Sequence, residues 1–176
     1  QYYLGGGYGR RLFGDQMIPA ALAARSLGRP VKLIFDRASD SRFDCVRSPS
    51  VCTLEAFFDS DGALTGVDHA VVAGWPTKSM APFFLGPGID GKGEVDGFSV
   101  NGADHWYTLP SHRVRTMNNA LAQETFLPGW LRAVGPGWVS WGVESFFDEI
   151  ADQQGADPVA LRLQLLDAAG KNAGDN

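Results

Sequence analysis

The sequence predicts an α+β fold, a mixed sheet with packed helices, and three observations carry that prediction. Two β-rich runs, Ser50–Phe58 and Leu64–Ala73, flank Asp59-Ser60-Asp61-Gly62, a hairpin turn signal. Near the C-terminus, Trp138–Gln153 and the stretch after Asp157 space their apolar residues at helical intervals. The order of strand-like and helix-like segments is mixed, neither regular βαβ alternation nor a bundle. With 176 residues, 44% of them hydrophobic, the chain can bury a core and reads as a single unit.

Taken in order, Leu4–Arg11 (LGGGYGRR) comes first, with four glycines in five positions from Gly5 to Gly9. Bare backbone of this kind reaches φ > 0 and brings several N–H groups close to a ligand. Arg10 and Arg11 follow as forked donors suited to phosphate or carboxylate. The pattern is neither of the common nucleotide loops. Arg10 stands where G-x-G-x-x-G needs glycine, and no Gly-Lys-Ser/Thr follows. An anion-binding loop and a simple turn between elements both fit these residues.

Asp15–Leu27 reads as a helix, with Ile18, Leu22 and Leu27 on one side and Gly28 as its C-cap. Pro30–Asp36 is apolar at nearly every position, which predicts a buried strand. Gly74–Gly102 is rich in Gly, Pro and Asp and lacks periodicity, so residues 74–102 are expected to form one long irregular loop. His112–Met117 alternates as a strand does. In the helix after it, Val143, Phe146, Phe147 and Ile150 form the apolar stripe. Asp157 then caps a last helix with Pro158 at its first position. Val159, Leu163 and Leu166 line one face of that helix, with Leu161 and Leu165 beside them. Ala168–Asn176 fades into Gly, Ala, Asn and Asp and is expected to be a flexible tail.

Composition narrows the functions. A net charge of −5 with no basic run beyond Arg10-Arg11 argues against nucleic-acid binding. No stretch approaches the roughly 20 apolar residues of a membrane span. Cys45 and Cys52 read as thiols rather than a disulfide, and are too few to hold an iron–sulfur cluster. His69, His105 and His112 are scattered, which gives no metal-ligand set. The opening at Gln1, without an initiator Met, leads to the expectation of an internal fragment of a longer polypeptide.

A second donor-rich segment is Trp130–Trp138 (WLRAVGPGW), a lone Arg132 leading through Gly-Pro-Gly into a helix N-terminus. Arg132 could meet an anion or pair with a nearby carboxylate, and the segment alone leaves both open.

Together the segments carry a resemblance. LGGGYGRRL (Leu4–Leu12), GRPVKLIFDRASD (Gly28–Asp40), HWYTLPSHRVR (His105–Arg115), LRAVGPGWVSWGVESFFDEIA (Leu131–Ala151) and ADPVALRLQLL (Ala156–Leu166) run in order along nearly the whole chain. In this order they resemble the molybdenum-binding large subunit of the xanthine dehydrogenase and aldehyde oxidase family. The branch most similar is that of the isoquinoline 1-oxidoreductase β subunit and related bacterial aldehyde dehydrogenases.

The resemblance implies part of a molybdopterin-binding domain, with the pterin in some relatives carrying a cytosine nucleotide. It implies that Gly6, Gly7, Tyr8 and Gly9 match the glycine loop closing over the cofactor. Arg132 matches the arginine beside it, and Ala133 and Val134 continue into the pocket wall, Val134 facing substrate. It further implies oxidation of a small molecule with water-derived oxygen and electron transfer to [2Fe–2S] clusters on an iron–sulfur small subunit. Departures narrow the substrate to an aldehyde or N-heterocycle. Val134 and Leu12 stand where purine-oxidising members carry an aromatic and a glutamate, and Ala133 stands where carbon monoxide dehydrogenases carry cysteine. Gly91-Lys92-Gly93-Glu94 imitates the turn of the family's catalytic glutamate but precedes Arg132, so Glu94 is read as a decoy. The true base then lies outside these residues, which alone are expected to be inactive. Two other readings stay open, a non-catalytic anion-binding module and a subunit-assembly domain.

Overall fold

The computed structural model describes residues 5–88, 91–103 and 106–166. Its centre is a three-stranded sheet ordered β1-β2-β5, with β1 (Ser50–Phe58) antiparallel to β2 (Leu64–Ala73) and β2 parallel to β5 (Ser111–Asn118). The hairpin forms where its turn residues predict. The Asp59 side chain accepts from the Asp61 and Ala63 N–H groups and closes the turn between the strands. Register places Leu54 opposite His69 and Ala56 opposite Val67, while β5 sets Val114 beside His69.

Cys52, Leu54 and Ala56 therefore share one face with Val67, His69, Val71, Val114 and Thr116. Helix α6 (Pro136–Gln154) covers that face through Val139, Val143, Phe147 and Ile150, all buried. Phe147 packs on Tyr107 with ring centroids 4.4 Å apart and planes tilted by 51°. Burying such a side chain stabilises the fold by about 1.5–3 kcal/mol, so this cluster outweighs any single surface contact. The opposite face carries charge: Arg113 and Arg115 on β5 both bond the buried Asp68 carboxylate. These cations hold Asp68 below the usual carboxylate range.

Helix α7 (Pro158–Leu165) starts where its cap predicts, the Asp157 carboxylate accepting from the Val159 and Ala160 N–H groups. Its packing differs from expectation. Leu161 is buried and Leu165 packs against the core, while Val159, Leu163 and Leu166 are exposed. Arg162 fixes this orientation by bonding the Glu144 carboxylate and carbonyl of α6 and pairing with Asp148. The flanking ion pairs, rather than leucine spacing, choose the buried side.

The first 40 or so described residues form a more open layer. Helix α1 (Met17–Leu27) ends at a left-handed Gly28, as its sequence predicts, but Ile18, Leu22 and Leu27 lie exposed. The strand expected over Pro30–Asp36 does not form. The segment pairs with no described strand, Ile34 is 74% exposed, and Asp36 caps a helix, α2 (Arg37–Phe43). A run of apolar residues supplies strand propensity but not the neighbour that ladder bonds require.

The stretch from Gly74 to Gly102 is broken into short pieces. These are α3 (Pro76–Met80), a 3-10 turn at Pro82–Phe84, a two-strand ribbon of β3 (Gly86–Pro87) and β4 (Glu94–Val95), and α4 (Gly97–Val100). Helix α5 (Ala120–Thr125) follows β5, capped by the Asn119 side chain. The tail expected at Ala168–Asn176 lies outside the described residues. No described helix is long and apolar enough to cross a membrane.

Candidate functional site

The glycine loop and the Arg132 turn, 120 or so residues apart in sequence, touch. Gly9 (φ 88°) lies so close to Trp130 that an added Cβ would stand 1.7 Å from its carbonyl oxygen. The Tyr8 ring folds back over Gly6 and faces Arg132, whose guanidinium carbon is 6.0 Å from the ring centroid. Gly6, Tyr8, Arg132 and Ala133 are exposed, and Gly7, Gly9 and Val134 are half-buried.

Backbone conformation singles out the same residues. Among the described residues, the non-glycine positions with left-handed φ are Tyr8 (50°), Ala133 (66°) and Val134 (26°), and all belong to this convergence. Such conformations cost about 1–3 kcal/mol each and persist where surrounding contacts over-determine them. Those contacts are present. Arg47 donates from Nη1 to the Val134 carbonyl at 2.6 Å and from Nη2 to the Arg132 carbonyl at 2.7 Å. The Gly135 N–H donates to the Phe98 carbonyl, and the Val134 N–H to that of Leu131.

A buried carboxylate underpins the turn. Asp96 accepts from the Thr77 N–H (2.9 Å) and hydroxyl (2.6 Å), the Phe98 N–H (3.1 Å) and the Ser99 hydroxyl (2.8 Å). The Thr77 hydroxyl in turn accepts from Trp130 Nε1, and Phe98 meets the Trp130 ring edge-on. Trp130, beside Arg132, is thus pinned from below.

Donors remain available on the outer side. Among the described residues, the main-chain N–H groups of Gly6, Gly7, Tyr8, Gly9, Arg132 and Ala133 donate to no protein acceptor. Nor does Arg132 form an ion pair there, so the carboxylate-paired reading of that residue is not what the fold adopts. Exposed N–H groups beside an unneutralised guanidinium suit a polyanion, such as a phosphate-bearing cofactor.

Arg10 behaves differently from expectation. Its guanidinium is enclosed by Asp15 (2.6 Å), Asp40 (3.2 Å) and Asp44 (3.1 Å), and its charge is spent within this layer. It works as a staple between the loop, α1 and α2, not as an anion donor. Clefts lie elsewhere, one of about 410 Å³ near Arg10, Arg11 and Asp40 and one of about 570 Å³ between β1 and α6. Val134 lines neither of them. Among the large aromatics, Phe83, Phe84 and Trp141 are exposed and Trp75 is buried. Glu94 is exposed at the start of β4. Among the described residues no cluster of His, Cys, Asp and Glu could hold a metal ion directly.

Two strained turns of a mixed α+β layer thus bring together N–H groups and an arginine that, among the described residues, meet no protein acceptor and no carboxylate. The chain belongs to the molybdopterin cofactor-binding domain family, which it matches over residues 1–166. Similar proteins include the membrane-bound aldehyde dehydrogenase [pyrroloquinoline-quinone] of Gluconacetobacter polyoxogenes, 53% identical over 98% of this chain and 22% of that protein. The isoquinoline 1-oxidoreductase subunit beta of Brevundimonas diminuta is 27% identical over 97% of this chain and 21% of its own length. The fold is that of the aldehyde oxidoreductase of Desulfovibrio gigas, at TM-score 0.64 and 22% identity, over 97% of this chain and 18% of that one. The chain spans about a fifth of the length of the curated relatives it matches.

Proposed function

We propose that this chain forms part of the cofactor cage of a molybdenum-dependent oxidoreductase acting on an aldehyde or N-heterocycle. The observation that carries the reading is the gathering of Tyr8, Ala133 and Val134, the described non-glycine residues with left-handed φ, around unpaired N–H groups and Arg132. Gly6, Gly7, Tyr8 and Gly9 would hold one side of a molybdopterin through backbone donors. Arg132 and the Ala133 N–H would hold the other and neutralise its phosphate. When bound, that cofactor supplies two-electron oxidation with oxygen drawn from water.

The chain's own part is placement. Tyr8 folds against Gly6 and faces Arg132, and the aliphatic Val134 would offer an apolar wall without the aromatic stacking a purine would use. Electrons would leave to [2Fe–2S] clusters on a small subunit, and a cytosine nucleotide would extend the pterin. The printed name of the 53% identical relative raises a second reading, in which the anion held is a quinone.

The test is metal analysis of the intact polypeptide purified from its own host. Near-stoichiometric molybdenum, lost in a Gly6→Val/Gly7→Val/Arg132→Gln variant that still folds, is the expected result. Quinone without molybdenum supports the second reading. Metal content that holds while the complex falls apart makes this an assembly domain instead.

A further inference from the structure

We infer that Arg47 is a positioning residue of this site, shaping the Arg132–Val134 turn for the anion it holds. The inference rests on the reading of the site as a cofactor cage, but its geometry is independent of that reading. Arg47 lies between α2 and β1, 85 residues from Arg132 and 87 from Val134, and bonds both carbonyls with separate nitrogens of one fork. Two carbonyls flanking Ala133 are thereby drawn to the same side. With both carbonyls turned inward on one planar group, the chain between them takes left-handed φ at Ala133 and Val134.

The pocket for this fork is built into the next turn of chain. A Cβ at Gly137 would lie 2.5 Å from Arg47 Nη1 and 2.9 Å from its guanidinium carbon, so a side chain there would have to push the fork out of its present place. The charge also stays local. Among the described residues Arg47 has no carboxylate partner, and neither does Arg132, although the chain as a whole carries −5. Two uncompensated guanidinium groups meet at one three-residue turn, one shaping it from behind and one facing outward. Lysine could keep the charge but not the bidentate geometry.

The test uses the intact protein with Arg47→Gln and Arg47→Lys, read by amide hydrogen exchange and by molybdenum content after extended dialysis. Exchange at Val134 and Gly135 is expected to quicken at least tenfold in both variants while β2 amides keep their wild-type rates. Molybdenum retention is expected to fall about tenfold in Arg47→Gln and to be rescued incompletely in Arg47→Lys. Exchange that quickens equally in β2 overturns the inference, since Arg47 would then serve only overall stability. Full retention in Arg47→Lys with a loosened turn overturns it too, because charge alone would suffice. Equal molybdenum in wild type and Arg47→Gln also overturns it. Wild-type protein devoid of molybdenum is a different failure, that of the cage reading, and takes the inference down with it.

Discussion

The α-carbon of Gly9 rests on the carbonyl group of Trp130, with 1.7 Å between that oxygen and the place a Cβ would occupy. At φ 88°, Gly9 also holds a conformation that L-residues avoid. Gly9→Ala should therefore separate the loop from the Arg132 turn, at a cost of about 2 kcal/mol or more in strain and displaced backbone. Gly5, with open space around its α-carbon, is the control. Molybdenum content of the intact protein should collapse in Gly9→Ala and stay unchanged in Gly5→Ala. Equal content in both would show that the contact does not matter to the cage.

Asp96 sits under that turn with four donors converging on its two oxygens. Asp96→Ala removes an acceptor and strands those donors in a buried place, where each unmet group costs about 1–3 kcal/mol. A loss of at least about 3 kcal/mol is expected in chemical denaturation. Asp96→Asn keeps the size but replaces one acceptor oxygen with a donor, and should fall between the two. A wild-type midpoint in Asp96→Ala would mean water replaces the carboxylate freely.

His69 makes stability depend on pH. It is 1% exposed, and neither ring nitrogen has a hydrogen-bond partner among the described residues. Burial, helped by the neighbouring His112 and opposed by Asp68, lowers its pKa from 6.5 to about 4. Between those values the unfolded chain binds a proton that the native state refuses. Stability from this group is full above about pH 6.5, falls as pH drops, and levels off below about pH 4. The total loss is about 3 kcal/mol. Denaturation of wild type and His69→Leu at pH 7.5, 5.5 and 4.5 checks this, the variant losing the slope. Parallel slopes would assign the dependence to other groups.

What the sequence disclosed and what it hid follow from the range of the interactions. The hairpin, the α1 boundary at Gly28 and the Asp157 cap are written in adjacent residues, so reading them needs no knowledge of the rest of the chain. The strand expected at Pro30–Asp36 failed because pairing is a property of two segments, and only one of them was in view. Arg10 looked like an anion donor because the aspartates that enclose it stand 5, 30 and 34 positions away. Arg47 gave no local signal at all, since its partners are backbone carbonyls 85 and 87 residues on. The glycines of the loop were visible from the start, but the carbonyl that Gly9 must clear was not.

The two cysteines should differ in reactivity in a way that reports on the layer beneath the site. Both are free thiols, Cys45 buried and Cys52 half-buried in the cleft between β1 and α6. Burial, reinforced by the Asp44 carboxylate, pushes the Cys45 thiol up to about 12, and burial raises Cys52 as well. Because the thiolate is the reactive form, neither should alkylate readily at pH 7.5 in the folded protein. Cys52 should react first, through its cleft, and Cys45 only when the layer opens. The packing sharpens the contrast, for a Cβ on Gly129 would lie 2.1 Å from Cys45 Sγ. Gly129→Ala must displace that thiol, and should raise Cys45 labelling by at least tenfold while leaving Cys52 unchanged. Peptide mapping after timed iodoacetamide treatment measures both rates in one sample. Rapid wild-type labelling of Cys45 would mean that the segment joining the Arg10 staple to the sheet opens far more often than its contacts imply.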